Sequence, residues 1–517
     1  SQVIIVMAMC DTSGEVLADS ADGLLESDEE DEEKSLQAPP PREVVVSGAD
    51  PRSLGRALAE VYGERTHRGL QHAKDYYTEL PPISCSTQQW KDLAALAQKG
   101  ARLCCPTAAA FFDGLKEGLG WEVYETMLDF EVYTLELQRR SRVEARQRSS
   151  SSSSSSDSSS ESFVEVNLGG GESKDSSDQD EVADEPSEKR KKLLKNGRCT
   201  GFAIAGDTSS IGGTGKVAIA SQTVDLPGIL YGFGDFDCVL RLQLPSVELL
   251  VYDSDGRLCP IGLNSAGLGI CVFNLHDRQT DGFQQASLSV QTLVWELLLS
   301  GHTMTSALSW LRDLCLQPMC GSALLLVDDS GAVTVELNPG GPVIGEVRQG
   351  EAVSRANHPI LAESNATFGG NRRARVDSQR RLEAVQRVLE QRAGEVASEV
   401  DANGALSLLR KAKKVRNLAT LAIVSLSPTQ GHLLVEFRER QEVSAAEAAR
   451  FAVEMGLAPK IIERALSQGG LQMETKRPRM SSGETAFHVT RWAKHAFQLS
   501  AKPSPQDSKD GADLCAK

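Results

Sequence analysis

The segment Asn196-Gly197-Arg198-Cys199-Thr200-Gly201-Phe202-Ala203-Ile204 puts a thiol where a long acidic, serine-rich tract gives way to strand-like runs. A thiol needs a base or a lowered pKa to attack a carbonyl at neutral pH. An N-terminal amine, whose ordinary pKa is ~7.7–8.0, can be that base on the same residue. Breaking the Arg198–Cys199 bond would therefore supply nucleophile and base together, from an inactive precursor. The competing reading from composition makes Cys199 one of eleven cysteines that serve as small buried hydrophobes.

Other chemistry in the chain is thinner. Gly212-Gly213-Thr214-Gly215-Lys216-Val217 suggests a phosphate loop, but Ser210 stands where its first Gly is required and Val217 where its Ser or Thr belongs. It reads as a turn, and no cofactor is implied. His358, in Asn357-His358-Pro359, could pair with Cys199 as in a papain-type peptidase, although the local signature around such a cysteine is missing. The cysteines form no C-x-x-C pair and have no His-rich neighbours, so no zinc site is expected. Their odd number in a large chain points to reduced, individually buried thiols. The sequon Asn365-Ala366-Thr367 says nothing of secretion without a signal peptide.

The elements that must position these residues divide the chain into five parts. Residues 1–43 carry the acidic run Glu26–Glu33 and Pro39-Pro40-Pro41, the composition of a disordered arm. Residues 44–140 show helical spacing (Leu54, Ala57, Leu58, Val61; Met127, Phe130, Tyr133, Leu137), with further helices over Trp90–Leu103 and Ala108–Leu119. Residues 141–198 are a linker. Every position from Ser149 to Ser162 is Ser, Asp or Glu, too polar to offset the entropy of ordering. Its Lys189-Arg190-Lys191-Lys192 is an exposed basic stretch or a nuclear-localisation patch.

Residues 199–440 form the candidate catalytic domain. Strands are expected at 200–206, 216–221, 238–244, 247–252, 260–263, 268–274, 323–327 and 332–337. Helices are expected at 286–300, 303–316 and 376–392, before a last strand pair at 418–426 and 432–438. Strands in meander order with helices in groups fit an α+β layered fold rather than alternating βαβ units. Residues 441–517 read as a helix, Ser444–Met455, and a weakly ordered tail.

The net charge of −16 over 517 residues argues against nucleic-acid binding, which needs a basic face. The excess is local to the two acidic tracts, which are expected to be solvated. Val3–Met9 is too short to span a membrane, and no other stretch approaches a spanning helix. The expectation is a soluble protein, cytoplasmic or organellar rather than secreted. Ser at position 1 leaves the true N-terminus and its targeting open.

Motifs downstream of Cys199-Thr200 follow in a recognisable order. They are Ser221-Gln222-Thr223-Val224-Asp225; Gly262-Leu263-Asn264-Ser265-Ala266-Gly267-Leu268-Gly269, running to Phe273-Asn274-Leu275; and Val335-Glu336-Leu337. Then come Arg355-Ala356-Asn357-His358-Pro359 and Asp377-Ser378 with Arg381. On these, residues 199–440 resemble the isopenicillin N acyltransferase family of cysteine N-terminal nucleophile (Ntn) hydrolases. Residues 44–140 are similar, more loosely, to that family's pro-segment. The chain has Thr-Val where the family has Asn-Trp before the Asp, and Arg198 where the fungal enzyme has Gly. Arg416 lies one position from the family's Arg before the last strand pair, where Asn417 aligns.

The resemblance implies an αββα four-layer sandwich with an N-terminal helical pro-segment, cut at Arg198–Cys199 and retained as an α-subunit. It implies Cys199 as nucleophile, Asp225 to orient the amine and Asn357 as oxyanion donor. Substrate contacts would come from Asn264, His358, Ser378, Arg381 and Arg416. The substrate would be a small-molecule amide or an acyl-CoA-type thioester, its acyl group passed to water or to an amine. Arg372, Arg373, Arg375, Arg380 and Arg381 could bind an anionic substrate group or form an exposed helix face. Two other classes stay open: an unprocessed pseudoenzyme acting as a binding module, and a papain-like Cys/His peptidase.

Overall fold

A computed structural model describes residues 42–63, 87–120, 199–206, 218–225, 237–254, 260–275, 288–316, 318, 321–338, 341–361, 372–391, 401–412, 415, 420–443 and 487–500. The chain is α+β, with two large sheets. After β1 (Glu43–Ser47) come helix α1 (51–63), α2 (Thr87–Cys104) and α3 (Pro106–Leu119). Six strands follow: β2 (Thr200–Ile204), β3 (Ile219–Asp225), β4 (Cys238–Gln243), β5 (Glu248–Asp253), β6 (Ile261–Asn264) and β7 (Gly269–Asn274). Helices α4 (Val290–Leu299) and α5 (Met304–Arg312) precede β8 (Ser322–Asp328), β9 (Gly331–Asn338), β10 (Gly341–Val347) and β11 (Ala352–Arg355). The last elements are α6 (Arg372–Gln391), α7 (Ala402–Lys411), β12 (Thr420–Ser427), β13 (His432–Val443) and β14 (Phe487–Gln498).

The eight-stranded sheet runs β1-β4-β5-β6-β7-β8-β9-β10 and the six-stranded sheet β11-β2-β3-β12-β13-β14. Side chains on a strand alternate between faces, so a strand buried on both sides reads as a continuous apolar run. Leu324-Leu325-Leu326-Val327 in β8 behaves this way. Leu325 and Val327 join Ala203, Ala220, Phe273, Val424 and Val435 in the cluster between the sheets. Leu324 and Leu326 face Leu54, Phe111, Trp295 and Leu298 of the helices α1–α5. On the far side of the six-stranded sheet, Phe202, Ile204, Ile219 and Ile423 pack against Val385, Leu406 and Leu409 of α6 and α7.

The N-terminal segment shares its core with the rest of the chain. Phe111 stacks on Trp295 with ring centroids 5.0 Å apart, and Glu296 Oε2 accepts from the Ala108 N–H at 2.7 Å. β1 pairs in parallel with β4 from Glu43↔Val239 to Ser47↔Gln243, a strand in a segment expected to be helical. Short-range pattern did not reveal it, because Val44-Val45-Val46 gains its partner only from across the linker.

The strand expected at 216–221 runs over Ile219–Asp225, which brings Asp225 inside the sheet. The helix α7 and the edge strand β10 were not anticipated. The tail expected to be weakly ordered contributes β14, which pairs with β13 along its whole length from Phe487↔Val443 to Gln498↔His432. The folded unit therefore reaches past residue 440. The helix expected at Ser444–Met455, the linker 141–198, the arm before residue 42 and the sequon lie outside the described residues. No helix among the described residues is long and apolar enough to cross a membrane.

Candidate active site

Sheet register brings the first pair of candidates together. β11 pairs antiparallel with β2 up to Arg355↔Gly201, so the chain continuing from Arg355 runs beside Thr200 and Cys199 and delivers Asn357 there. β3 flanks β2 on its other side, with Thr200↔Thr223 in register and Asp225 just beyond. Thr223 Oγ1 accepts from the Thr200 N–H at 3.1 Å and donates to the Thr200 carbonyl at 3.3 Å. Gln222 spans the gap between sheets: its carbonyl accepts from Val272 N–H (2.9 Å) and its amide donates to Val272 O (2.5 Å). Cys199 is half-buried against the inter-sheet cluster at the head of β2.

Gly201 sets how closely β2 and β3 approach. A methyl group there would lie 2.2 Å from the Ser221 carbonyl oxygen and 2.9 Å from the Phe273 ring. Gly201→Ala is expected to cost about 3 kcal/mol or more, since it forces backbone rather than a flexible side chain to move. Urea unfolding of variant and parent checks this; equal midpoints would contradict it.

From α6, Arg381 reaches under this group. Its guanidinium donates to the Cys199 carbonyl (2.8 Å), to Thr200 Oγ1 and to Asn357 Oδ1 (2.8 Å), while its Nε donates to Asp377 Oδ2 (3.1 Å). Arg381 is buried, so it does not belong to the exposed helix face occupied by Arg375 and Arg380. Helical spacing puts Asp377, Ser378 and Arg381 on one side of α6. Ser378 Oγ accepts from the Asn357 backbone N–H (2.9 Å) and lies 2.7 Å from His358 Nδ1. The Asn357 amide also donates to the Asn274 carbonyl at 2.9 Å, which leaves its second N–H for another acceptor.

Behind Asn357 a buried ion pair pins the chain. Arg355 meets Glu336 Oε1 and donates to Thr334 Oγ1 at 2.6 Å; the same Glu336 oxygen accepts from the N–H groups of Ile360 (2.7 Å) and Leu361 (3.1 Å). Glu336 therefore holds both ends of the Asn357-His358-Pro359 turn.

Electrostatics separate the thiol from the imidazole. Burial, with the neighbouring Asp225 charge, pushes the Cys199 thiol up to about 11, against the opposing pull of the Asp225 backbone N–H, Gln222 and Arg381. Cys199 is therefore a neutral thiol near pH 7. Burial first, then the charges of Arg381, Arg355 and Arg375, push His358 down to about 4. His358 is consequently neutral near pH 7, its Nδ1 sharing a hydrogen bond with the Ser378 hydroxyl.

The unfolded chain protonates His358 near its ordinary pKa of ~6.5, while the folded chain does so only near 4. Stability supplied by the neutral ring is present above that upper value and is lost as pH falls toward 4, by up to about 3 kcal/mol. Asp237, pushed up to about 6 by its burial, contributes in the opposite sense. The comparison is therefore between chains: His358→Gln is expected to flatten the loss of stability between pH 6.5 and 4 relative to the parent. Parallel stability curves in urea titrations at stepped pH would contradict it.

Cys199, Asp225, Asn357, His358, Ser378 and Arg381 thus gather at one end of the inner strands. Asn264 does not join them. Its Oδ1 accepts from the Leu268 N–H (3.0 Å) and its Nδ2 donates to the carbonyls of His302 (3.1 Å) and Leu298 (3.4 Å), tying the β6–β7 turn to the end of α4. With those groups occupied and the residue fully buried, it is a structural staple rather than a substrate contact. Arg416 and Arg198 lie outside the described residues. No hydrogen bond joins Cys199 to His358 among the described residues. Gln222, Thr223 and the Glu336–Arg355 pair are parts of the site's framework that spacing alone did not single out. The one signal that pointed toward them was their place within the motifs around Asp225 and Asn357.

No family model matches this sequence, and no curated protein matches it.

Proposed function

We propose that this chain is the precursor of a cysteine N-terminal nucleophile enzyme, an amidohydrolase or acyltransferase that cuts itself before Cys199. The observation that carries this reading is the position of Cys199: at the head of an inner-sheet strand, between Asp225 and Asn357, with Arg381 bonded to its own carbonyl. The order helices, sheet, sheet, helices supports an αββα sandwich of the Ntn type.

In maturation, the Cys199 thiol attacks the Arg198 carbonyl. The peptide nitrogen leaves as the Cys199 α-amine, and a thioester to Arg198 remains. Water hydrolyses that thioester, freeing the thiol and the Arg198 carboxylate. The neutral thiol keeps the uncut chain from turning over substrate; the self-cut is a single intramolecular event through the small thiolate fraction, and the base for repeated turnover arrives with the new α-amine.

In catalysis the amine takes the thiol proton, and the thiolate attacks an amide or thioester carbonyl. The spare N–H of Asn357 would meet the developing oxyanion. Asp225 would orient the ammonium, which then protonates the leaving group. The acyl group leaves Cys199 with water or an amine as acceptor. Residues 42–120 would remain bound as the α-subunit through β1 and the Phe111–Trp295 stack.

The test is the intact mass and N-terminal sequence of purified protein, followed by assay on a panel of N-acyl amino acids and acyl thioesters. A new N-terminus at Cys199 with acyl release supports the proposal. Active protein with another N-terminus overturns it, and a single uncut, inactive polypeptide favours a binding module.

A further inference from the structure

The cysteine pattern gave no reason to pair any two of the thiols, yet the fold brings two of them together. Cys104 is the last residue of α2, and Cys315 follows α5 by three positions; their sulfurs stand 2.9 Å apart. A disulfide needs them to close to ~2.05 Å. Cys315 is exposed, whereas Cys104 is buried. The flanking Leu314 and Leu316 pack against the cluster that also contains α2 and α3, so both sulfurs are held by ordered backbone. Burial and the adjoining Cys315 thiol push Cys104 up to about 12, while the backbone N–H groups of Leu316 and Cys315 favour its thiolate. Cys105, Cys238 and Cys271 are also buried, and Cys105, next to Cys104 in the chain, lies within the electrostatic reach of both paired thiols without the close sulfur approach that the pair shows.

We propose that Cys104 and Cys315 form a site for thiol–disulfide exchange, which a small disulfide converts into a cross-link between the N-terminal helices and the α4–α5 layer. The exposed Cys315 thiolate attacks one sulfur of the small disulfide, forming a mixed disulfide and releasing one thiol. Cys104 then attacks the Cys315 sulfur, forming the Cys104–Cys315 bond and releasing the second thiol. Two protein thiols are oxidised, one small disulfide is reduced to two thiols, and the two protons end on them. The linked residues are 211 apart in sequence and lie on opposite sides of the Arg198–Cys199 bond. The cross-link would therefore tie the two pieces of a cut chain covalently.

The test treats the full chain with oxidised glutathione, alkylates remaining thiols, and maps unreduced peptides by mass spectrometry. The expected product is one peptide pair joining Cys104 to Cys315, lighter by two hydrogens and separated by reductant. Cys104→Ser should stop at glutathione on Cys315; Cys315→Ser should yield neither that adduct nor the linked pair. Oxidised parent protein should melt several degrees above the reduced form, with no such gain in Cys104→Ser. Glutathione persisting on Cys315 while Cys104 is present, or Cys315 joined to another cysteine, would overturn the proposal. The peptide forms whether or not Arg198–Cys199 is cut, so the outcome is independent of the processing scheme.

Discussion

Cys199→Ala is expected to yield a single uncut polypeptide without acyl-transfer or hydrolytic activity. In the proposed scheme alanine removes the atom that attacks the Arg198 carbonyl, so the thioester would not form and the α-amine would not be released. The same change removes the nucleophile for substrate, and losses of this kind are on the order of 10⁶-fold in kcat. Folding should be nearly intact. Cys199 is half-buried at a strand end, and losing one sulfur there costs about 1 kcal/mol. The readouts are therefore separable: intact mass for the cut, turnover for the chemistry, and melting temperature for the fold.

Cys199→Ser is a milder probe, because a hydroxyl can sometimes complete the cut. In the processed parent, kcat/KM should rise as pH increases through the α-amine pKa of ~7.7–8.0, since the proposed base is the free amine. A flat profile across that range, or turnover retained by Cys199→Ala, would falsify the scheme.

Arg381→Met should weaken both fold and function. The guanidinium is buried and serves Cys199 O, Thr200 Oγ1, Asn357 Oδ1 and Asp377 Oδ2 from one position. Hydrogen bonds to charged groups contribute ~1.5–3 kcal/mol each, and buried acceptors left unmet carry a desolvation cost. Asp377 is one-third exposed, so water can replace its share. A net loss of about 3–5 kcal/mol follows, as for breaking a buried charged contact from one side. Asn357 would then be free to rotate, and activity should fall ~10²–10³-fold, as when an oxyanion donor is lost.

Because Arg381 acts through Asn357, the effects of Arg381→Met and Asn357→Ala on kcat should not add. Additive losses would assign Arg381 a separate contact with substrate. Arg381→Lys should recover little, since one ammonium cannot reach four divergent acceptors.

The sequence carried most of the strand framework because inner strands buried on both faces announce themselves as unbroken apolar runs. Leu324–Val327 and Leu421–Val424 are legible for that reason. β1 and β14 were not, because each becomes a strand only by pairing with a distant neighbour, β4 or β13. β10 was missed on similar grounds: an edge strand shielded on one side has weak patterning.

Within the site, the ordered motifs and the family they resemble brought forward Cys199, Asp225, Asn357, His358, Ser378 and Arg381. Asn264 stood in the same ordered series, and there order misled. Its neighbour Gly267, with φ 96°, marks a tight turn, and the amide is consumed by stapling that turn to α4. A buried Asn that satisfies backbone groups and one that awaits a ligand look alike in one dimension.

What the sequence by itself determined is the kind of atoms available: a thiol at a strand head, a carboxylate, an amide and a guanidinium, in a given order along the chain. Only tertiary structure decided which of them meet. Register places Asn357 beside Cys199, and α6 buries Arg381 beneath both. The fold also set Cys104 against Cys315 across a linker with no pattern of its own. The reason is physical: composition and spacing report local propensity, whereas contact, burial and thus pKa depend on side chains far apart in sequence.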